Sequence, residues 1–206
     1  MTTMPPVLAR MQALGHQVFT SGDYNLNLFG IRSSDNTAGT FNDLLGCAYK
    51  VDGQWHVRYW AATTDPGLYY RENPMNVKGT AILCPGQYRS AYVIAKHKSS
   101  YDALCQRTGG DPVTVWRDAN RDDVLDYEGP TDTGFFGINL HASSSNPYGE
   151  TRDRDDDAAV GKWSAGCQVH ATTTGFREMM ALARKQIEVH PTWTERFTYT
   201  LLDEWR

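Results

Sequence analysis

The chain contains no apolar run near the roughly 20 residues that a membrane-spanning helix requires. It has no excess of positive charge either: 20 lysines and arginines stand against 24 aspartates and glutamates, for a formal net charge of −4. Because nucleic-acid-binding proteins normally present a basic face, we expect no nucleic-acid partner. Because no long apolar run is present, we expect no membrane span. The 40% of hydrophobic residues among 206 excludes a disordered chain, a collagen and a coiled coil.

Signals for disulfides and for export are also missing. The four cysteines form no CxxC pair, and their spacings do not resemble a disulfide framework. Cys47, Cys84 and Cys105 lie in apolar segments, which predicts small buried side chains. Prolines and polar residues interrupt the first 19 positions, so no secretory signal is indicated and we expect synthesis in the cytoplasm.

The pattern of apolar residues predicts an α+β fold, mainly β, with two or three helices in a single domain over residues 1–206. The clearest local signal is Asp52-Gly53 between two β-prone runs, which predicts a type I′ hairpin. Helices are predicted within residues 1–20, 99–107 and 172–189. Strands are predicted at residues 24–32, 44–51, 54–62, 79–84, 90–97, 112–118, 133–143 and 194–205.

Residues 143–160 form a polar and highly charged stretch of about 18 residues. Loops of this length inside a domain are usually functional lids or mobile segments, so we expect a mobile loop over the site. A plain solvated surface loop is the alternative.

His141 and Cys167 are the candidates for chemistry. His141 ends a strand-like run, and Cys167 lies in WSAGCQVH among small and polar residues. A cysteine nucleophile needs a base, because a free thiol has a pKa near 8.5, and it needs donors for the oxyanion. Gly166 removes a side chain beside the sulfur, and a helix beginning just after Cys167 would favour the thiolate.

The residues around this pair resemble a known signature. His141-Ala142 is followed by Val160-Gly161-Lys162 and by Ser164-Ala165-Gly166-Cys167. Together they resemble the catalytic motif of the L,D-transpeptidase family, the YkuD-like cysteine enzymes of peptidoglycan. The resemblance covers about 30 of the 206 residues. It implies a β-rich fold, with Cys167 as nucleophile and His141 as base.

The resemblance also implies that Ser164 and Gly166 shape an oxyanion pocket. Two positions depart from the family pattern. Ala165 stands where the motif has a histidine, and Val169 stands where an arginine or asparagine is usual. These departures concern the contacts to the donor substrate, and they leave the nucleophile and its base in place.

The implied reaction is attack of Cys167 on a stem-peptide bond next to a D-amino acid, which gives a thioester. Water as acceptor makes the enzyme a peptidase, and an amine makes it a transpeptidase. Without a signal, an anchor or a wall-binding module, we favour hydrolysis by a monomeric lytic enzyme, such as a phage endolysin or an injected antibacterial effector. Such an enzyme reaches the cell wall or periplasm after release or delivery. A non-catalytic virion or binding protein on the same fold is the alternative from another class.

Further side chains are candidates for lining the cleft. Lys162 and Trp163 flank the motif, and Tyr88 and Arg89 lie in CPGQYR. A packing or surface role is an equally good interpretation for each of them. The same interpretation applies to His97, which stands between two lysines.

Two metal sites are also weighed. Residues 118–129 place oxygen ligands at calcium-loop positions 1, 3, 5 and 9 but lack the glycine of position 6 and the glutamate of position 12. The ligands would be Asp118, Asn120, Asp122 and Asp126. An acidic turn closed by Asx hydrogen bonds is the alternative. A zinc site formed by His141, Cys167 and His170 is the second metal hypothesis, although no HExxH motif accompanies it. We expect no catalytic cofactor.

Overall fold

The computed structural model describes residues 3–122, 124–152 and 159–205. Within these ranges the chain is mainly β with three helices, which confirms the α+β class. The helices are α1 (Pro6–Ala13), α2 (Leu68–Glu72) and α3 (Thr173–Val189). The strands are β1 (Asn27–Arg32), β2 (Asp43–Val51), β3 (Gln54–Thr63), β4 (Thr80–Leu83), β5 (Gly86–His97), β6 (Tyr101–Gln106), β7 (Val113–Asp118), β8 (Thr131–Gly134), β9 (Leu140–Ala142), β10 (Gln168–His170) and β11 (Phe197–Asp203).

Eight strands close into a barrel in the order β1-β11-β5-β6-β9-β10-β3-β2. The β1–β11 and β9–β10 pairs are parallel, and the other neighbours are antiparallel. The remaining strands form a separate antiparallel sheet in the order β4-β7-β8. None of the helices in the described ranges is both long and apolar enough to cross a membrane.

The predicted hairpin and the C-terminal helix are confirmed. Asp52 and Gly53 both have positive φ, 49° and 73°, as a type I′ turn requires, and they join β2 to β3. In α3 the Thr172 side chain accepts a hydrogen bond from the N–H of Gly175 at 3.0 Å and caps the helix. The apolar stripe of α3 packs into the main core with the inward-facing residues of the barrel strands. The core also contains Cys47 and Cys105, as predicted.

The helix predicted at residues 99–107 is wrong, because this segment is strand β6. Lys98 and Ser99 adopt φ values of 47° and 57°, so Ser99 turns the chain into a hairpin instead of capping a helix. Strand β6 then pairs with β5 from His97–Tyr101 to Tyr92–Gln106. Pairing with a neighbouring strand overrides the local preference for a helix.

The continuous strand predicted at residues 133–143 is also wrong. It is divided into β8 and β9, and the segment between them leaves the sheet at residues 135–139. Strand β10 was not predicted, and it separates Cys167 from α3, which begins only at Thr173. The expected helix N-terminus beside the thiol is therefore absent from this part of the described chain.

The ends of the remaining predictions also shift. The N-terminal helix stops at Ala13, and Gly15 follows with a φ of 79°. Helix α2 lies between β3 and β4, in a stretch for which the sequence predicts no helix or strand. Of the predicted mobile loop 143–160, residues 153–158 lie outside the described residues.

Candidate active site

Cys167 and His141 line the same cleft, of about 390 Å³, where the small sheet meets the barrel. The small sheet contributes Thr80 and Ala81 of β4, and the barrel contributes His97 of β5. The irregular segment that precedes β9 and the turn that precedes β10 close the other sides.

The parallel pairing of β9 with β10 brings the two candidate residues together. Val169 lies opposite His141 in this pair, and Gln168 donates its N–H to the carbonyl of Asn139 at 2.9 Å. Side chains alternate along a strand, so Cys167 and Val169 share one face of the sheet with His141. The thiol and the imidazole therefore open on the same side.

The Cys167 sulfur lies between two backbone groups of the segment before β9. It accepts a hydrogen bond from the N–H of Asn139 at 3.4 Å and donates its own hydrogen to the carbonyl of Gly137 at 3.5 Å. The side chain is half-buried, in contrast to Cys47, Cys84 and Cys105, which are buried. Cys167 is thus the cysteine that a substrate can reach.

His141 is held in one orientation by its neighbours. Its Nδ1 lies 2.8 Å from the carbonyl of Ala142, which assigns the proton to Nδ1 and leaves Nε2 as an acceptor. The ring of His97 stacks on it with a centroid distance of 4.1 Å. His97 is fixed in turn, because its Nδ1 lies 3.1 Å from the side-chain nitrogen of Asn139.

Burial decides the charge state of the pair. It raises the pKa of the Cys167 thiol to about 11, although the Asn139 N–H and the charge of Lys98 act in the opposite direction. Burial, followed by the neighbouring His97, lowers the pKa of His141 to about 3. Thiol and imidazole are both neutral near pH 7, so the arrangement suits proton transfer during attack and not a preformed ion pair.

Ser164 and Gly166 set the shape of the turn that carries the sulfur. The Ser164 hydroxyl accepts from the N–H of Gly166 at 3.1 Å and donates to the carbonyl of Cys167 at 2.8 Å. Gly166 has a φ of 118°, and a Cβ there would lie 2.5 Å from the carbonyl oxygen of Ala81. Only glycine fits this position.

This turn also determines which backbone donors remain. The Gly166 N–H is occupied by the Ser164 hydroxyl. Within the described residues no hydrogen bond engages the N–H of Cys167, which leaves it available to an oxyanion.

The candidates for substrate contact separate into two groups. Trp163 lines the cleft, whereas Lys162 lies outside its lining and is exposed, with its ammonium 4.0 Å from the ring centre of Tyr69. Tyr88 is buried in the main core, where its hydroxyl donates to the carbonyl of Cys84 at 2.5 Å. Arg89 lines a second cavity of about 440 Å³. The structure therefore does not bring Lys162, Tyr88 or Arg89 to the cleft.

Sequence reasoning missed the residues that support the pair. For His97 the sequence favours a packing or surface role as much as a place in the cleft, and it gives no signal for Asn139 or Gln106. The Gln106 side-chain oxygen accepts from three consecutive backbone N–H groups, those of residues 136–138, at 2.9–3.2 Å. No sequence signal marks such a contact, because Gln106 lies about 30 positions from the segment that it holds.

In the calcium candidate, an arginine lies among the acidic side chains. Arg71 of α2 is fully buried, and its guanidinium lies 2.7 Å from Asp118 and 3.2 Å from Asp122. Asn120 donates to Asp122 and Asp126 at 3.0 and 2.9 Å, as in an acidic turn. Asp123 at the sixth position lies outside the described residues.

Among the described residues no group of three or more His, Cys, Asp or Glu side chains is arranged to hold a metal. For the zinc hypothesis, His170 is fully buried beneath α3, with its Nε2 3.2 Å from the sulfur of Met179. The structure does not bring His170 to the cleft beside His141 and Cys167. Calcium binding stays a prediction.

Comparison of the chain with models of protein families, with curated proteins and with solved structures finds no match.

Proposed function

We propose that this protein is a cysteine-dependent enzyme that acts on stem-peptide bonds of peptidoglycan through a thioester, with hydrolysis favoured. The observation that supports this most directly is the placement of Cys167 and His141 on one face of the β9–β10 pair, in one cleft. The motif resemblance around these two residues supplies the substrate class. Their arrangement alone supports acyl transfer and does not select the peptide.

In this reaction the Cys167 sulfur attacks the carbonyl carbon while its proton passes to Nε2 of His141. The Cys167 N–H stabilises the oxyanion, and collapse of the tetrahedral intermediate expels an amine that takes the proton from His141. The thioester is then attacked by water, with His141 as base, and the carboxylic acid and the free thiol are released. Trp163 lines the cleft in which the peptide lies.

An L,D-transpeptidase is the first alternative, since an acceptor amine in place of water uses the same thioester. A non-catalytic binding protein is the second alternative, and one observation favours it. Burial raises the pKa of Cys167 to about 11, so the resting site holds very little thiolate. The general-base route requires none, because the proton leaves during attack. As a lytic enzyme, the protein would act as a monomer on the wall after release or delivery from the cytoplasm.

The test is incubation with purified peptidoglycan, followed by mass analysis of the released fragments. Cleaved stem peptides support hydrolysis, exchanged or cross-linked peptides support the transpeptidase, and unchanged peptidoglycan supports the binding protein. Cys167→Ala should abolish turnover with the fold intact, because one small side chain is lost at a turn. Cys84→Ala, which truncates a buried cysteine outside the cleft lining, is the matched control and should retain activity. Full activity of Cys167→Ala would end the covalent hypothesis.

A further inference from the structure

The cleft carries a charge opposite to that of the whole protein. The protein has a formal net charge of −4. Among the described residues that line the cleft, however, two are cationic, Lys98 and Arg117, and none is a carboxylate. A cleft of one charge sign attracts ligands of the other sign.

The two cations differ in what they already bind. The Arg117 guanidinium lies 3.2 Å from the Asp132 carboxylate and 4.6 Å from the ring centre of Phe136, so its charge is largely compensated. Lys98 is exposed, and no hydrogen bond or ion pair engages its ammonium within the described residues. Lys96, two positions earlier, is paired with Asp102 at 2.9 Å and does not line the cleft.

The backbone fixes Lys98 at the mouth of the site. It directly follows His97, whose ring stacks on His141, and its φ of 47° belongs to the tight turn between β5 and β6. Its charge acts on the Cys167 thiol in the direction that favours the thiolate. Lys98 is thus an unpaired cation within electrostatic reach of the reacting sulfur.

We propose that Lys98 binds a free carboxylate of the substrate beside the scissile bond, so that the enzyme selects peptides with an ionised carboxyl group at that point. This inference rests on the proposed function only in so far as it concerns a substrate. The attraction between Lys98 and an anion that approaches Cys167 does not depend on the proposed function, and it is tested without turnover.

The first experiment compares two alkylating agents that react by the same displacement of iodide, anionic iodoacetate and neutral iodoacetamide. The rate at Cys167 is followed by mass analysis of its peptide. An exposed ion pair is worth about 0.2–1 kcal/mol, so Lys98→Met should lower the iodoacetate-to-iodoacetamide ratio by about 1.5- to 5-fold at low salt. Lys98→Glu should lower it further, and Lys98→Arg should preserve it. In about 1 M salt the Debye length shrinks to about 3 Å, and the differences should disappear.

Lys96→Met is the matched control, because it removes the same charge two positions earlier, from β5 and outside the cleft lining. An equal ratio in Lys98→Met and Lys96→Met would overturn the inference, whatever the enzyme does to peptides.

The second experiment measures kcat/KM for two stem peptides that differ only by carboxylate or carboxamide beside the scissile bond. We expect the wild type to prefer the carboxylate and Lys98→Met to lose that preference. Cleavage of both peptides at equal rates would overturn the inference while the function stands. Cleavage of neither would reject the proposed function, and the alkylation ratio would still decide the role of Lys98.

Discussion

The ring of His97 stacks on the ring of His141, with centroids 4.1 Å apart and planes inclined by 22°. Two imidazoles in such contact cannot both be charged without strong repulsion, and both are removed from water. Burial lowers the pKa of His97 to about 4 and that of His141 to about 3. The base of the proposed reaction is therefore unprotonated through the whole neutral range.

The first prediction concerns the pH dependence of acylation. An unperturbed histidine would place the acid limb of kcat/KM near pH 6.5, but the lowered pKa of His141 moves that limb to about pH 3. His141→Ala should lower the acylation rate by about 10²–10⁴-fold. Its residual activity should rise with pH toward the raised Cys167 pKa of about 11, because hydroxide must then form the thiolate.

The control for this prediction is His170→Ala, measured by stopped-flow acylation with folding checked by circular dichroism. His170 is fully buried against Met179 and Phe176 and is the smallest of the causes that lower the pKa of His141, so its loss should move the acid limb only slightly. A nearly silent His141→Ala, together with a large loss in His170→Ala, would make His170 the base.

The sequence predicts best what is decided locally. The Asp52-Gly53 turn and the apolar stripe of α3 depend on neighbouring residues, and both are confirmed. Strand β6 was mistaken for a helix because its partner β5 decides its conformation. The pairing of Cys167 with His141 was expected only through a motif resemblance, and the β9–β10 register supplies its physical basis.

The supporting residues of the site could not be predicted because their contacts join distant parts of the chain. Asn139 orients His97 across 42 positions, and Arg71 reaches Asp122 across 51 positions. The acidic spacing at residues 118–126 predicts a cation site, but a spacing cannot reveal that Arg71 from α2 pairs with Asp118 and Asp122.

The second prediction concerns Gln106 as a positioning residue. Its side chain accepts from the three N–H groups of residues 136–138 and donates to the carbonyl of Gly134 at 2.9 Å. This segment ends at Asn139, whose N–H contacts the Cys167 sulfur. Gln106→Leu leaves these groups unpaired at a cost of about 1–3 kcal/mol each, and it should also slow alkylation of Cys167 and shift its pH profile upward.

Gln186→Leu is the matched control for Gln106→Leu. Gln186 is also buried, and its side chain accepts from the N–H of Leu26 at 2.9 Å, far from the thiol. It should lower stability in urea without changing the pH profile of Cys167. Gln106→Glu keeps the acceptor oxygen and should restore part of the alkylation rate. Identical profiles in both leucine variants would reduce Gln106 to a merely structural role.

The third prediction concerns Arg71. Its side chain and that of Asp118 are 0% and 1% exposed, so Arg71→Met leaves a buried carboxylate without its partner. We expect a loss of about 3–5 kcal/mol in urea unfolding. Arg117→Met, which breaks a pair whose Asp132 is 25% exposed, should cost about 1 kcal/mol or less. Equal losses in the two variants would contradict the prediction that breaking the buried pair costs more than breaking the partly exposed one.

Melting curves of the wild type in EDTA and in millimolar calcium test whether calcium stabilises the acidic loop in addition to Arg71. Because the Arg71 guanidinium already supplies positive charge to Asp118 and Asp122, we expect the same Tm in both. A lower Tm in EDTA, restored by calcium, would support the calcium loop instead. Rapid loss of activity at unchanged Tm, restored by zinc, would support the zinc site.

The last prediction concerns stability in acid. Burial lowers the pKa of His170 to about 3, and His97 and His141 are lowered as well, so between about pH 4 and 6.5 the unfolded chain binds protons that the folded protein excludes. The free energy of unfolding should therefore fall as the pH falls through this window. Asp43 opposes the trend, because burial raises its pKa to about 6 and the folded state gains a proton first.

His170→Leu isolates one of these contributions. Nδ1 of His170 has no hydrogen-bond partner among the described residues, so replacement by leucine deprives no neighbouring group of a hydrogen bond to Nδ1. Each fully shifted group contributes about 1.4 kcal/mol per pH unit, and the variant should flatten the slope of unfolding free energy between pH 4.5 and 6 by about that amount. Phe176→Leu alters the same packing without a titrating group, so it should lower stability equally at every pH. Urea unfolding of both variants across this range decides the matter, since an unchanged slope in His170→Leu would mean that His170 takes up its proton alike in the folded and unfolded chains.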